Sequence, residues 1–299
     1  MKIILAEHFG ICFGVRDAIA AAEQLAEQGP LTILGELVHN PVVRERLAAR
    51  GVLEGNAPSL PGTTGSTAIT TQQVMITAHG TSDAQREQWR SAGFTVADGT
   101  CPLVRRAHEQ LRNLVQLGYF PVVIGQRGHV EVRGLTGDFP HAIVIENARE
   151  LHLLPLDEQR FGVISQTTQP IERVRSIVDV LRAARPDAQV QFCDTVCQPT
   201  KNRQNAVQQL IATCDMIVVV GGYGSNNTRQ LVQAARAAGR AAIHIERPEE
   251  IRAEMLAGAQ QVGLTAGTST LKETVSAVHA RLLAIAQSTS TCASKTQNL

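Results

Sequence analysis

Three cysteines occupy the same position in three similar segments of the chain. Cys12, Cys101 and Cys197 each follow a short apolar run and open a stretch of helical period, and a glycine follows each one after 23 or 24 residues. A lone cysteine is more often a small buried hydrophobic residue. Three in one phase predict a metal or cluster on a pseudo-threefold axis, because helix N-termini stabilise the thiolate that binds it.

The number of in-phase cysteines favours a cluster over zinc. A structural zinc site takes four protein ligands, whereas a four-iron cluster held by three thiolates leaves one iron open to substrate. The other cysteines are out of phase. Cys193 and Cys214 are interpreted as core residues, and Cys292 as part of the C-terminal tail. For Cys193, a redox or metal-binding pair with Cys197 is the alternative.

Polar side chains follow the predicted strands at matched positions. Because ligands of parallel sheets bind beyond the carboxyl ends of the strands, we expect these side chains to line one cavity. Neutral donors and imidazoles suit a diphosphate bound by hydrogen bonds. The alternative role, capping of the following helices, is compatible with binding. The predicted substrate-binding residues are His39, His79, His129, Ser225, Asn226, Asn227 and Ser269.

One carboxylate is in phase with these side chains. Glu131 lies 30 residues after Cys101, as Asn227 lies 30 residues after Cys197. A carboxyl group beside an anionic ligand and away from water has a raised pKa, so Glu131 is a candidate proton donor. The alternative is a solvated loop charge. Thr167 follows a neighbouring predicted strand.

Apolar runs that alternate with longer helical patterns predict an α/β fold. The repeat predicts three pseudo-symmetric α/β subdomains with mostly parallel sheets around a central site. The N-terminal run, residues 2–6, has no parent copy before it, and the third copy lacks a final strand. We therefore expect residues 2–6 to complete the third subdomain. The main predicted strands are residues 31–34, 74–77, 120–124, 142–145, 162–165, 216–220, 241–245 and 262–265.

The repeat phase also sets the predicted domain boundaries. Residues 13–100 form the first subdomain, residues 101–192 the second, and residues 193–287 with 1–12 the third. The Gly-, Pro- and Ser-rich residues 55–73 predict an exposed connection within the first subdomain. Residues 288–299 lack an apolar period and predict a disordered tail.

The composition excludes several classes of protein. Net charge is +1 and aromatic residues make up 3% of the chain, which argues against a nucleic-acid-binding surface. No apolar run is long enough to span a membrane. The N-terminus is interpreted as a strand and not a signal peptide, because Glu7 and His8 interrupt its apolar residues. We expect a cytoplasmic protein whose cysteines are thiols or ligands.

An ordered set of short motifs resembles the 4-hydroxy-3-methylbut-2-enyl diphosphate reductase (IspH/LytB) family. The set covers the chain from residue 1 to about 285, and its order is more specific than any single piece. Val130 stands where the family usually has proline, and Asn226 replaces a serine that usually binds diphosphate. The motifs are GICFGV (10–15), ELVHN (36–40), AHG (78–80), TCPLV (100–104), HVE (129–131), SQTT (165–168), KNRQ (201–204), SNN (225–227) and AGTS (266–269).

The resemblance implies reductive dehydroxylation of an allylic diphosphate to isopentenyl and dimethylallyl diphosphate, the last step of the methylerythritol phosphate pathway. It implies a central [4Fe–4S] cluster with one open iron, held by Cys12, Cys101 and Cys197. It implies proton relay by Glu131 and Thr167, diphosphate binding by the polar residues above, and an electron donor of the ferredoxin or flavodoxin type. No nucleic-acid or membrane partner is expected.

Two rival functions remain open on the sequence alone. A zinc hydrolase or lyase could use the same three cysteines, and a divergent paralogue could act as an iron–sulfur redox sensor. Colour and visible absorbance after anaerobic purification separate iron–sulfur from zinc. Turnover of the allylic diphosphate with a reduced dye separates an enzyme from a sensor.

Overall fold

The computed structural model describes residues 1–55 and 69–296. Within these ranges, strands and helices alternate along the chain, as the pattern of apolar runs predicts. The strands are β1 (Lys2–Leu5), β2 (Leu31–Leu34), β3 (Leu53–Gly55), β4 (Gln73–Ile76), β5 (Thr95–Asp98), β6 (Phe120–Ile124), β7 (Ile143–Ile145), β8 (Arg160–Ser165), β9 (Gln189–Phe192), β10 (Met216–Val220), β11 (Ala241–Ile245) and β12 (Gln261–Ala266). The α-helices are α1 (Phe13–Gln28), α2 (Pro41–Ala48), α3 (Asp83–Ser91), α4 (Pro102–Gln116), α5 (Val130–Thr136), α6 (Ile171–Ala184), α7 (Gln198–Thr213), α8 (Asn226–Ala237) and α9 (Lys272–Thr296).

The strands form three four-stranded sheets with the same order and parallel pairing throughout. The orders are β3-β2-β4-β5, β7-β6-β8-β9 and β11-β10-β12-β1. In each sheet the first strand of the copy lies second, so the same crossover pattern is used three times. This confirms the predicted α/β fold of three related subdomains.

The third sheet is completed by the N-terminal strand. Strand β1 pairs in parallel with β12, with Lys2 opposite Gln261 and Leu5 opposite Leu264. The last helix, α9, contacts β1. The prediction that residues 2–6 supply the strand missing from the third copy is confirmed, with β1 ending one residue earlier, at Leu5.

Helices cover both faces of the third sheet, as expected for a buried parallel sheet. Successive residues of β10 point to opposite faces. Ile217 and Val219 pack with buried residues of α7 and α8. Val218 and Val220 pack with buried residues of α9. The apolar run 216–220 is therefore continuous because both of its faces are buried.

The chain divides into two compact units. The first consists of Met1–Cys12, His39–Val43 and the chain from Gln198 onward, and it contains the sheet of β1, β10, β11 and β12. The second consists of Phe13–Val38 and Arg44–Cys197, and it contains the other two sheets. The segment His39–Val43 thus leaves the first predicted subdomain and joins the unit of the third. The residue boundaries of the three subdomains remain predictions.

Two elements differ from the sequence-based expectation. Helix α9 continues to Thr296, so the predicted disordered tail is corrected over residues 288–296. Each residue that extends an existing helix adds a hydrogen bond without a new nucleus, and the earlier part of α9 is anchored by Val278 and Leu282. Strand β3 was not expected, because two of its three residues are exposed at a sheet edge. The predicted connection over 55–73 falls mostly on residues 56–68, outside the described residues.

Within the part of the chain that the structure describes, no helix combines the length and the hydropathy needed to cross a membrane.

Candidate active site

Each of the three in-phase cysteines lies immediately before a helix. Cys12 precedes α1, Cys101 is the N-cap of α4 and Cys197 precedes α7. All three are free thiols of intermediate exposure. Each is fixed by a backbone N–H bond to a loop that follows a strand: Cys12 to the carbonyl of Thr268 (3.0 Å), Cys101 to that of Ala78 (3.1 Å) and Cys197 to that of Thr167 (3.0 Å). The threefold repeat therefore includes the hydrogen bond that holds the cysteine.

A glycine leaves space for the sulfur of Cys101. A Cβ atom on Gly14 would lie 2.3 Å from the Sγ atom of Cys101. No side chain can approach a sulfur atom so closely, so a larger residue at position 14 would displace the thiol. Gly14 is a site residue that the sequence analysis missed, although its position two residues after Cys12 is visible in the motif GICFGV.

Two out-of-phase cysteines lie in apolar surroundings. Cys214 is buried among residues of β10, α7 and α8. Cys193 follows β9 and packs against the core on one face of its sheet. Burial raises the pKa of the Cys193 thiol, and nearby Arg106 lowers it by a smaller amount. Both are therefore core residues, as predicted. The side chain of Cys292 lies outside the described residues.

The glycines that follow the central strands mark the loops of the predicted polar side chains. Each glycine donates its N–H to the edge strand of its sheet, which fixes the start of the loop: Gly35 to Gly55 (2.7 Å), Gly125 to Ile145 (3.1 Å) and Gly221 to Ile245 (2.8 Å). Four residues later lie His39, His129 and Ser225. The three predicted side chains therefore occupy equivalent positions of their sheets.

Helix capping accounts for part of this arrangement. The Nδ1 atom of His129 accepts the N–H of Glu131 at 3.1 Å, and the Oγ atom of Ser225 accepts the N–H of Thr228 at 3.3 Å. In the first copy the capping side chain is Asn40. Its amide also donates to the carbonyl of Ser269 at 2.7 Å. Sequence reasoning missed Asn40, whose equivalence to Asn226 was available from the repeat phase.

The strand register corrects one predicted equivalence. The pairs Ile33–Met75, Val123–Ile164 and Val219–Thr265 are equivalent in the three sheets. Counting from these pairs aligns His79 with Thr168 and Ser269. Thr167 aligns with Ala78 and Thr268, the residues whose carbonyls accept the cysteine N–H groups. The sequence analysis placed Thr167 one position too far along because it aligned the loops by distance from each cysteine.

Glu131 and Thr167 form a buried pair. Glu131 is only 2% exposed, and its Oε1 atom accepts the N–H of Thr167 at 2.6 Å. Its Oε2 atom and the Thr167 hydroxyl lie 3.1 Å apart. Burial raises the pKa of Glu131 to about 7, while the two hydrogen bonds from Thr167 lower it. The carboxyl group can therefore carry a proton near neutral pH, and the solvated-loop alternative is wrong.

The second unit also brings two of the predicted histidines together. The rings of His79 and His129 meet edge to face with centroids 5.4 Å apart. Because His129 is two residues before Glu131, this pair extends the polar surface beside the buried carboxyl group. The predicted site residues of this unit are Cys101, Cys197, His79, His129, Glu131 and Thr167.

The first unit contains the other six predicted site residues. Two of them carry buried polar atoms that have no hydrogen-bond partner among the described residues, namely Asn227 Nδ2 and Ser269 Oγ. Buried polar groups in folded proteins are nearly always satisfied, so these atoms indicate a ligand or water that they bind. The six residues are Cys12, His39, Ser225, Asn226, Asn227 and Ser269.

Replacement of Gly222 by alanine is expected to displace His39. A Cβ atom at position 222 would lie 2.1 Å from the carbonyl oxygen of His39, whereas one at Gly224 would lie 3.6 Å from its nearest neighbour, the Cβ of His39. Gly222→Ala should lower the free energy of unfolding by roughly 1–3 kcal/mol. Gly224→Ala, the matched control, should change it by less than about 0.5 kcal/mol. Equal stability of the two variants in chemical denaturation would contradict this account.

Comparison with known proteins identifies the family. The α/β sheets, three free thiols and buried carboxyl group are the features of a cofactor-dependent enzyme. The sequence model of LytB protein matches residues 3–283, and the chain belongs to this family.

Relatives align over nearly the whole chain. The 4-hydroxy-3-methylbut-2-enyl diphosphate reductase of Aquifex aeolicus is 33% identical, covering 96% of this chain and 98% of the relative. The protein of that name from Dechloromonas aromatica is 36% identical, covering 90% of this chain and 87% of the relative.

Solved structures agree with the fold. The E-1-hydroxy-2-methyl-but-2-enyl-4-diphosphate reductase of Plasmodium falciparum superposes with a TM-score of 0.82 at 25% identity, covering 92% of this chain and 86% of that one. A structure of (E)-4-hydroxy-3-methyl-but-2-enyl diphosphate reductase, described as the terminal enzyme of the non-mevalonate pathway, gives 0.65 at 33% identity over 95% and 99% of the two chains.

Proposed function

We infer that this chain reduces 4-hydroxy-3-methylbut-2-enyl diphosphate to isopentenyl diphosphate and dimethylallyl diphosphate. This reaction is the last step of the methylerythritol phosphate pathway. The family match over residues 3–283 and the names of full-length relatives support the assignment. The structural observation that carries it is the buried Glu131–Thr167 pair, which holds a proton donor among polar side chains suited to a diphosphate.

The reaction removes a hydroxyl group with two electrons and two protons. The allylic C–O bond breaks, one proton leaves with the oxygen as water, and the second proton joins carbon. Addition of that proton at either end of the allyl unit gives one product or the other. An external reductant supplies both electrons. The protein must therefore bind the diphosphate, provide an electron route and hold a proton near the departing oxygen.

The three in-phase cysteines fit an iron–sulfur cofactor. Their thiols are free and partly exposed, each is next to a helix N-terminus that favours the thiolate, and Gly14 keeps the sulfur of Cys101 accessible. We propose that Cys12, Cys101 and Cys197 hold a [4Fe–4S] cluster with one open iron. When bound, the cluster supplies the two electrons in single steps and a Lewis-acidic iron for the substrate oxygen.

The diphosphate is assigned to the polar side chains at the strand ends. The buried Asn227 Nδ2 and Ser269 Oγ atoms, which lack partners among the described residues, are donors for phosphate oxygens. His39, His79, His129, Ser225 and Asn226 complete the proposed set. Ser225 is the N-cap of α8, where backbone N–H groups and the helix dipole also favour an anion.

Glu131 and Thr167 are assigned to proton delivery. Burial raises the pKa of Glu131 to about 7, so the protonated form is abundant at neutral pH. The Thr167 hydroxyl lies next to Glu131 Oε2, so it can accept a proton from the carboxyl and donate its own onward. The backbone N–H of Thr167 fixes the other carboxyl oxygen, Oε1, and stabilises the carboxylate left after transfer.

The electron donor is proposed to be a small protein of the ferredoxin or flavodoxin type. Such donors supply single electrons, which matches the one-electron steps of an iron–sulfur cluster. The notebook of required reactants is then complete: substrate, two electrons and two protons.

Anaerobic turnover tests the proposed function. Iron-loaded protein is mixed with 4-hydroxy-3-methylbut-2-enyl diphosphate and a reduced viologen dye, and the products are separated by chromatography. We expect both isopentenyl and dimethylallyl diphosphate, with two electrons taken from the dye per product. A protein that contains iron and sulfide but converts none of the substrate would overturn the assignment and favour the redox-sensor alternative.

A further inference from the structure

The same set of four contacts anchors the polar loops of the second and third sheets. In both copies a glutamate directly follows the edge strand, and a second glutamate lies four residues later: Glu146 and Glu150 after β7, Glu246 and Glu250 after β11. The loops are residues 126–129, which end at His129, and residues 222–225, which end at Ser225. Neither pair of glutamates has a role in the proposed reaction.

In the second sheet, the contacts centre on Arg127. Its backbone N–H donates to Glu146 Oε1 at 2.6 Å, and its guanidinium donates to Glu150 Oε2 at 2.7 Å and to the carbonyl of Val144 at 3.0 Å. The N–H of Glu146 donates to Glu150 Oε2 at 3.1 Å. This backbone bond, with smaller contributions from Arg127, holds the pKa of Glu150 below its usual range.

In the third sheet, Tyr223 takes the place of Arg127. Its backbone N–H donates to Glu246 Oε1 at 2.7 Å, and its hydroxyl donates to Glu250 Oε2 at 2.7 Å and to the carbonyl of His244 at 3.3 Å. The N–H of Glu246 donates to Glu250 Oε1 at 3.0 Å. Burial and the bond to Glu250 raise the pKa of Tyr223 to about 12, so its hydroxyl remains a donor.

The two loops keep this pattern with different side chains. Arg127 and Tyr223 share neither charge nor shape, yet both place the backbone N–H on the first glutamate and a side-chain donor on the second. The feature common to both copies is the pair of carboxylates and the loop N–H that the first one accepts. A charged acceptor makes a stronger hydrogen bond than a neutral one.

We propose that Glu146 and Glu246 are positioning residues, each holding a loop so that His129 and Ser225 bind the substrate diphosphate. The proposal rests on the proposed function for the identity of the ligand. Each bonded N–H is two residues before the binding side chain, so the carboxylate limits the freedom of the loop without touching substrate. In the third sheet the same loop also determines the position of His39, whose carbonyl lies against Gly222.

Alanine variants of the two glutamates test the proposal in the iron-loaded protein. Glu146→Ala and Glu246→Ala should each raise the KM for the allylic diphosphate about tenfold and change kcat by less than about twofold, because the chemical groups are untouched. The double variant should show about the product of the two effects, since the loops belong to separate units. Glu146→Gln and Glu246→Gln retain an oxygen acceptor and should recover most of the loss.

Matched controls exist at equivalent positions three residues after each glutamate. Arg149→Ala and Glu249→Ala remove exposed side chains of the same two segments and should leave KM unchanged. Amide hydrogen exchange of residues 126–129 and 222–225 gives a readout without turnover, and it should be faster in the alanine variants only. An unchanged exchange rate and KM would overturn the proposal. If exchange accelerates but wild-type protein has no turnover, the loop anchoring stands and the proposed function fails.

Discussion

Replacement of Glu131 by glutamine is expected to lower kcat by about 10²–10⁴-fold, the usual range for loss of a general acid. The carboxyl group is buried, its pKa is raised to about 7, and it is bonded to both the backbone and the hydroxyl of Thr167. Glutamine keeps the shape and an acceptor for the Thr167 N–H, but its amide cannot supply a proton to the departing oxygen. The measurement is anaerobic turnover at saturating substrate.

The pH dependence of kcat provides a second view of the same residue. As pH rises through about 7, the protonated fraction of Glu131 falls, so kcat should decline about tenfold per pH unit above that value. The glutamine variant should lack this decline.

Two controls separate chemistry from cofactor loss. Iron and sulfide content of Glu131→Gln should equal that of the wild type, because Glu131 is not a proposed ligand. Glu109→Gln, an exposed carboxyl on α4, should keep full activity. Full activity of Glu131→Gln at every pH would remove this residue from the mechanism.

Loss of any in-phase cysteine is expected to remove most of the bound iron. Cys12→Ala, Cys101→Ala and Cys197→Ala would each leave only two thiolates, which is too few for a stable cluster of the proposed type. Activity should fall to background in the same variants. Iron and acid-labile sulfide after anaerobic purification provide the readout.

The out-of-phase cysteines provide the matched comparison. Cys193→Ala and Cys214→Ala remove sulfurs that pack in the core, so iron content and turnover should remain close to wild type. Stability should fall modestly, since each change removes a buried sulfur. Loss of iron from Cys193→Ala would instead favour the alternative in which Cys193 and Cys197 act together.

The repeat made much of the fold predictable. Continuous apolar runs such as residues 216–220 identify strands buried on both faces, and the phase of the copies predicted that β1 completes the third sheet. Strand β3 could not be found in this way, because a three-residue edge strand with two exposed residues has no apolar pattern. Helix α9 extends through residues of weak pattern because the helix preceding them is already packed.

The site was predictable where chemistry follows from residue type and phase. Glu131 was found because it is the one carboxylate in register with the polar side chains. Its contact with Thr167 and its degree of burial depend on how β8 lies beside β6, which the sequence does not state. The equivalent roles of Arg127 and Tyr223 were hidden for the same reason, since residues so different give no repeat signal.

The central claim is that three equivalent cysteines hold an iron–sulfur cluster. Quantification of metal and acid-labile sulfide in anaerobically purified wild-type protein tests it most directly. The account predicts a brown protein with about four iron and four sulfide per chain. A colourless protein with about one zinc per chain and no sulfide would contradict it and would favour the zinc enzyme.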